Sequence, residues 1–255
     1  MRLFKRIIRA ALASAGFQLN RFNREQIIPA GIADRELYQG PEDFSRLFRP
    51  WNSLQYDLWF TPEVLENTML SRQKLYFLLQ FLRQTIDLPG DALEAGTGSG
   101  GSAKLMLEVL RQARVNKRLW LLDTFAGYQR VDPERDGTHA QLNQCRCHSK
   151  EEVARLLADP VLDVKLIAGL IPETLEQVKT DTISFAHIDV NLHEPTLAAS
   201  DFCLQRLTKG GVILFDDYCW PATSGARQAI DEACARHRQQ VICVPESTQA
   251  FLIKK

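Results

Sequence analysis

Four short stretches of this chain carry residues whose types and spacing suit chemistry. The first is Glu94-Ala95-Gly96-Thr97-Gly98-Ser99-Gly100-Gly101-Ser102, an acid followed by a glycine run. Glycine lets the backbone turn tightly and approach a ligand without a Cβ clash. A helix starting just after such a loop aims free N–H groups at a carboxylate or phosphate. The second is Leu121-Leu122-Asp123-Thr124, whose carboxylate can accept hydrogen bonds from both hydroxyls of a ribose. The other two end in acids: Ala186-His187-Ile188-Asp189 and Leu214-Phe215-Asp216-Asp217. Carboxylates gathered in one place repel unless a cation neutralises them. An all-oxygen donor set favours Mg²⁺ or a similar hard ion. Such an ion holds neighbouring hydroxyls and lowers the pKa of one.

Two nucleoside cofactors compete for the glycine loop. Gly96, Gly98 and Gly101 satisfy the GxGxxG spacing of dinucleotide sites. Glu94, two residues before the first glycine, suits a cofactor with an ammonium group. S-adenosylmethionine has one and a dinucleotide does not. Asp123 serves either. An NAD(P)-dependent oxidoreductase leaves the Asp-Asp pair without a role, and Asp123 stands further from the loop than the usual roughly 20 residues. Taken singly, each aspartate has a plainer reading as a cap of a turn or helix. Together with the glycine loop they point to a site.

The elements that must position these residues alternate from residue 90 onward. Strands are predicted over Ala92–Ala95, Leu119–Asp123, Val164–Ala168, Ile183–Asp189, Val212–Asp216, Val241–Val244 and Ala250–Ile253. Helices are predicted over Ser102–Ala113, Lys150–Leu157, Ile171–Val178, Glu194–Leu207 and Ala222–His237. This is the pattern of an α/β, doubly wound, Rossmann-like, seven-stranded and mostly parallel sheet, whose carboxyl strand ends converge on a ligand crevice. Residues 1–89 read as an N-terminal helical extension and 90–255 as the Rossmann-like domain. Within the extension, one long helix is predicted from Thr61 to Ile86, with Thr61 as N-cap and Pro62 at its first position. Residues 124–149 form a polar stretch of the kind used as lids or binding loops.

Composition narrows the partners. The chain has 255 residues, 31 basic and 31 acidic, and 45% apolar, which excludes a disordered chain and bulk nucleic-acid binding. No run is long enough to span a membrane. Leu3, Phe4, Ile7, Ile8, Ala11, Leu12 and Ala15 lie on one face of an amphipathic helix flanked by arginines and lysine. Such a helix packs on its own domain or a second subunit, or makes peripheral contact with an anionic membrane surface. The six cysteines contain no CxxC pair. Cys145-Arg146-Cys147-His148 lacks the second pair that a zinc site needs, so reduced cytoplasmic thiols are expected.

With these residues assembled, residues 60–253 resemble the macrocin O-methyltransferase family of class I methyltransferases. The resemblance rests on Glu94–Ser102, Leu122-Asp123-Thr124-Phe125-Ala126-Gly127, His187-Ile188-Asp189, Thr196-Leu197, Phe215-Asp216-Asp217-Tyr218 and Gly225-Ala226-Arg227-Gln228-Ala229-Ile230-Asp231-Glu232. It implies a homodimeric, Mg²⁺-dependent O-methyltransferase that uses S-adenosylmethionine and acts on a hydroxyl of a sugar or other polyhydroxylated small molecule. The implied cofactor-binding set is Glu94, Ala95, Gly96, Thr97, Gly98, Ser102, Asp123, Thr124 and Gly169. Asp189, Asp216 and Asp217 are the implied metal ligands, and Asp189 is positioned to help deprotonate the acceptor. The chain departs from the family where Asn191 stands for an acid, which keeps an oxygen donor but not a base. His193 is a candidate substitute base, though a histidine at a helix start is commonly a surface residue. An inactive methyltransferase-like binding subunit is the reading that Asn191 favours.

Overall fold

Seven apolar runs become strands: β1 (Asp91–Ala95), β2 (Leu119–Asp123), β3 (Val164–Ala168), β4 (Ile183–Ile188), β5 (Leu207–Phe215), β6 (Ile242–Cys243) and β7 (Ala250–Ile253). They form one sheet in the order β3-β2-β1-β4-β5-β7-β6. β1 to β5 are parallel, and β7 runs antiparallel to both β5 and β6. The computed structural model describes residues 49–137 and 140–255. The chain divides after Pro50, and the unit Trp51–Lys255 holds all that follows. The amphipathic stretch over residues 3–15 lies outside the described residues. Among the described residues, no helix is long and apolar enough to cross a membrane.

Among the described residues six helices flank the sheet: α1 (Pro62–Leu65), α2 (Arg72–Gln84), α3 (Gly101–Ala113), α4 (Lys150–Leu156), α5 (His193–Arg206) and α6 (Ser224–His237). Successive strand residues point to opposite faces, so the sheet has a core on each side. Ala92, Leu119, Leu121, Phe185, Val212 and Leu214 pack with Leu75, Leu78, Leu79 and Leu82 of α2 and with α3. Leu93, Ala95, Trp120, Leu122, Ala186, Ile188 and Ile213 pack with Ala199, Cys203 and Leu204 of α5 and with Ile230 and Ala233 of α6. Strand alternation decides where the acids go. Glu94 follows Ala92, His187 follows Phe185 and Asp216 follows Leu214, so all three continue the α2 side of adjacent strands.

The single helix expected over Thr61–Ile86 is two. The chain breaks at residues 66–71 because α3 approaches there. The Gly101 N–H donates to the Asn67 carbonyl at 2.8 Å. Ser71 then restarts the helix, its side chain accepting from the Lys74 N–H. One of the helix N–H groups expected to await an anion is thus already spent on Asn67. The helix expected over Ile171–Val178 is a short 3₁₀ turn, Glu173–Gln177, with Pro172 as its N-cap residue. All six cysteines are free thiols. A Cβ at Gly101 would lie 2.4 Å from the Val64 carbonyl oxygen and 2.7 Å from that of Asn67. Gly101→Ala should therefore lower the urea midpoint by the equivalent of about 1–3 kcal/mol, the usual cost of overpacking. An unchanged midpoint would show that the α1–α2 break is not fixed by α3.

Candidate active site

At the carboxyl ends of the central strands, β1 turns into the glycine loop. Gly96 has φ +92, and a Cβ there would sit 1.9 Å from the Asp189 carbonyl oxygen. Only glycine lets the tips of β1 and β4 come this close. Asp123 ends β2 and ties the loop down: Oδ2 accepts from the Gly98 N–H at 2.8 Å and Oδ1 from the Phe125 N–H at 2.7 Å. Phe125 holds φ +53, a conformation unusual for a bulky residue and of the kind stored at functional sites.

A cleft opens beside these residues. Gly96, Gly98, Asp123, Thr124 and Gly169 line one part of it, and Asp189, Val190, Asn191 and Leu192 another. Glu94, Ala95, Thr97 and Ser102, placed by sequence in the same cofactor set, are buried behind the wall and do not line it. Residues the sequence did not single out also line it, among them Met69, Tyr128, Gln129, Arg130 and Glu194, and so do Cys145 and Cys147 of the cysteine cluster. The position of residues 124–149 as a binding loop carried the signal for several of them. Arg130 pairs with Glu173 and Glu194, both at 3.1 Å and all three exposed.

His193 is not on the surface. It is buried, with Nε2 3.3 Å from Glu232 Oε1 and Nδ1 3.3 Å from Arg135 Nη1. It lines a second cavity with Asp132, Arg135 and Asp136 rather than the cleft that Asp189 lines. Helix α5 starts here because the His193 N–H donates to Asp136 at 2.6 Å. Asn191 holds φ +61, a left-handed conformation that asparagine tolerates better than most residues. Its backbone N–H donates to Asp217 Oδ2 at 3.1 Å.

Behind the cleft runs a chain of buried charges. Glu94 Oε1 meets His187 Nδ1 at 2.9 Å, and Glu94 Oε2 has no partner. His187 Nε2 lies 3.8 Å from Asp216 Oδ1, too far for a hydrogen bond but within ion-pair range. Asp216 Oδ1 also accepts from Gln249 Nε2 at 2.9 Å, and Oδ2 pairs with the Lys74 ammonium. The sequence reading missed Lys74 and Gln249.

Burial alone would neutralise every one of these groups, so the pairings decide their charges. Burial pushes the His187 pKa down, but Asp216 and Glu94 outweigh it and hold the imidazole cationic, at about 10. Burial raises Asp216, yet His187 and Lys74 bring it below the usual carboxylate range. For Asp189 and Asp217 the pull of His187 and Lys74 is outweighed. Burial and then the neighbouring carboxylates push Asp189 well above that range, and burial and then Asp216 push Asp217 up to about 7. Four carboxylates stand against one ammonium and one imidazole, an excess of acids that suits one divalent cation with hard oxygen donors. Atoms able to bind a metal on His187, Asp189 and Asp216 lie within 4.8 Å of one another, the one such group among the described residues. His187 spends Nδ1 on Glu94, and its Nε2 has no hydrogen-bond partner.

The sheet order with its antiparallel β7, the glycine loop after β1 and the acid ending β2 define a class I methyltransferase. Residues 56–243 match the Macrocin-O-methyltransferase (TylF) family, and the chain belongs to that family. It is 29% identical over 174 residues to 8-demethyl-8-(2,3-dimethoxy-α-L-rhamnosyl)-tetracenomycin-C 4′-O-methyltransferase of Streptomyces olivaceus, spanning 62% of this chain and 64% of that protein. It is 29% identical over 183 residues to demethyldecarbamoylnovobiocin O-methyltransferase of Streptomyces niveus, spanning 67% of this chain and 68% of the relative. The fold is shared with the calicheamicin methyltransferase CalS11, with a TM-score of 0.63 at 21% identity over 93% of this chain and 98% of that one.

A carboxylate raised from 3.8 to about 7 gives the folded state a preference for the proton. Its stabilising contribution is full below about pH 4 and is lost as pH rises through 7. In EDTA, Asp217→Asn should therefore gain stability relative to the unaltered protein between pH 4 and 7. The gain should approach about 1.4 kcal/mol per pH unit, the value of one proton. Thermal melts of the two proteins check this. A difference that does not vary with pH would show that Asp217 is not charge-frustrated.

Proposed function

We propose that this protein is an S-adenosylmethionine-dependent, divalent-cation-dependent O-methyltransferase acting on a hydroxyl of a sugar or sugar-bearing small molecule. The observation that carries this reading is the single cleft lined at once by Asp123 with the glycine loop and by Asp189. Asp123, braced by the Gly98 and Phe125 N–H groups, keeps lone pairs for the ribose hydroxyls of the cofactor. Gly96, Gly98 and Gly169 give the cofactor room at the backbone. Glu94 is buried under the loop, paired with His187 and with Oε2 unpartnered, and stands behind the cleft wall.

Asp189, Asp216 and Asp217 would hold the cation, and bound Mg²⁺ would supply neutralising charge and acidify an acceptor hydroxyl. Asp189, at the cleft wall, is positioned to help accept the hydroxyl proton. S-adenosylmethionine, held by the glycine loop and Asp123, would supply the methyl to the acceptor oxygen in place of its proton and leave as S-adenosylhomocysteine. Holding both partners in one cleft provides the orientation on which such a displacement depends. The curated relatives support a sugar-bearing acceptor, since one is named for an enzyme acting on a rhamnosyl tetracenomycin. Gln129, Arg130 and Glu194 offer polar groups to such an acceptor at the cleft wall.

Calorimetric titration with S-adenosylmethionine tests the donor: one site per chain is expected, with affinity reduced at least ten-fold in Asp123→Ala. No binding by the folded protein would end the reading. With a rhamnosylated polyketide as acceptor, methyl transfer should be abolished by EDTA and restored by Mg²⁺. Asp189→Asn should lower kcat at least a hundred-fold, as loss of a general base does. EDTA-resistant turnover would remove the cation from the account.

A further inference from the structure

Arg130, Glu194 and Pro195 line both the cleft and the second cavity, so the two spaces share one wall. Gly96, Gly98, Asp123 and Gly169, the residues at the proposed cofactor, do not line the second cavity. The wall contains the Arg130–Glu194 pair at 3.1 Å, with side chains 51% and 52% exposed. Ion pairs this exposed contribute little to stability, so this one exchanges readily for contacts with an incoming molecule. The floor of the second cavity, by contrast, is fixed. Asp136 is buried, and its oxygens accept from the His193 N–H at 2.6 Å and the Asp132 N–H at 2.7 Å. A Cβ at Gly225 would lie 2.5 Å from the Arg135 carbonyl oxygen, so α6 backs the loop closely.

The lining says what chemistry fits. Asp132, Asp136 and Glu194 stand against Arg130 and Arg135, three acids to two arginines. That balance disfavours a diphosphate. It suits uncharged hydroxyls, which accept from a guanidinium and donate to a carboxylate. The side chains of Asp132 and Arg135 are each about half exposed, and Val131, Pro133 and Pro195 add apolar surface for the C–H face of a ring. We propose that the second cavity is a subsite for a second, uncharged sugar ring, reached past the Arg130–Glu194 pair from the ring that is methylated beside Asp189. The proposal rests on the sugar acceptor inferred above and narrows it. The acceptor carries at least two glycosidically linked sugars and is not a nucleoside diphosphate sugar.

Saturation-transfer NMR on protein saturated with S-adenosylhomocysteine and Mg²⁺ measures this without turnover. The probes are methyl glycosides of rhamnose, glucose and galactose, their (1→3)- and (1→4)-linked disaccharides, and UDP-glucose. At least one disaccharide should bind about ten-fold or more tightly than its parent monosaccharide, with saturation reaching protons of both rings. Val131→Trp fills the second cavity and should cut that advantage below about three-fold, leaving monosaccharide affinity in place. Arg135→Ala should act in the same direction and serves if the tryptophan variant does not fold, with S-adenosylhomocysteine affinity as the check on folding. A disaccharide advantage below ten-fold in the unaltered protein overturns the subsite. So does an advantage that stays above three-fold in both variants, or UDP-glucose binding more tightly than every disaccharide. In each of these cases monosaccharide binding leaves the sugar-acceptor reading standing. Binding of no saccharide and no sugar nucleotide, with S-adenosylhomocysteine still bound, overturns both.

Discussion

Negative charge gathered at the ends of parallel strands, away from water, must be neutralised. Every part of this site answers that constraint. Glu94, Asp216 and Asp217 are all buried, and Asp189 stands against them in the cleft wall. Left alone they would take up protons, because ionised carboxylates in a poorly solvated site repel one another strongly. The protein supplies two cations of its own. His187 bridges β1 and β5 from the strand between them, and Lys74 comes in from α2. Asp189 and Asp217 are left without a paired cation of their own, and of the two Asp189 lines the cleft. On the proposed reading a divalent ion completes the neutralisation there.

The same constraint explains why the segment before the sheet is part of the working unit. Helix α2 buries Leu75, Leu78, Leu79 and Leu82 against the sheet, a spacing that makes one apolar stripe. Phe81 meets Phe251 of β7 with ring centroids 4.4 Å apart. The stripe fixes the helix, and the helix delivers Lys74. Gly101 lets α3 come close enough to break the preceding helix at Asn67, which sets where α2 begins. Packing and electrostatics therefore share one cause, the close approach of α2 and α3 to the same face of the sheet.

Much of this was legible in the sequence, for a physical reason. Apolar runs that end in an acid mark the carboxyl ends of strands, so Asp123, Asp189 and Asp216-Asp217 could be placed at one edge of a sheet before any fold was known. The period of two even fixes which face Glu94, His187 and Asp216 share. Lys74 was not legible, because a lysine on an amphipathic helix looks like any solvated one, and its partner is remote in sequence. His193 misled for the converse reason. A polar residue at a helix start reads as exposed, but Asp136, Arg135 and Glu232 from distant segments bury and bind it. Glu94 was read as a cofactor contact, and its partner His187 became visible only with strand register. The break at residues 66–71 was hidden because helical spacing continues across it, and only the tertiary contact to Gly101 stops the helix.

The most direct measurement is diffraction from crystals grown with S-adenosylhomocysteine and Mn²⁺, using the anomalous signal of the metal. The account predicts cofactor density along Gly96, Gly98 and Asp123 and a single metal peak within bonding distance of Asp189, Asp216 and Asp217. Cofactor density with no metal peak there, or a peak at a distant site, would contradict it.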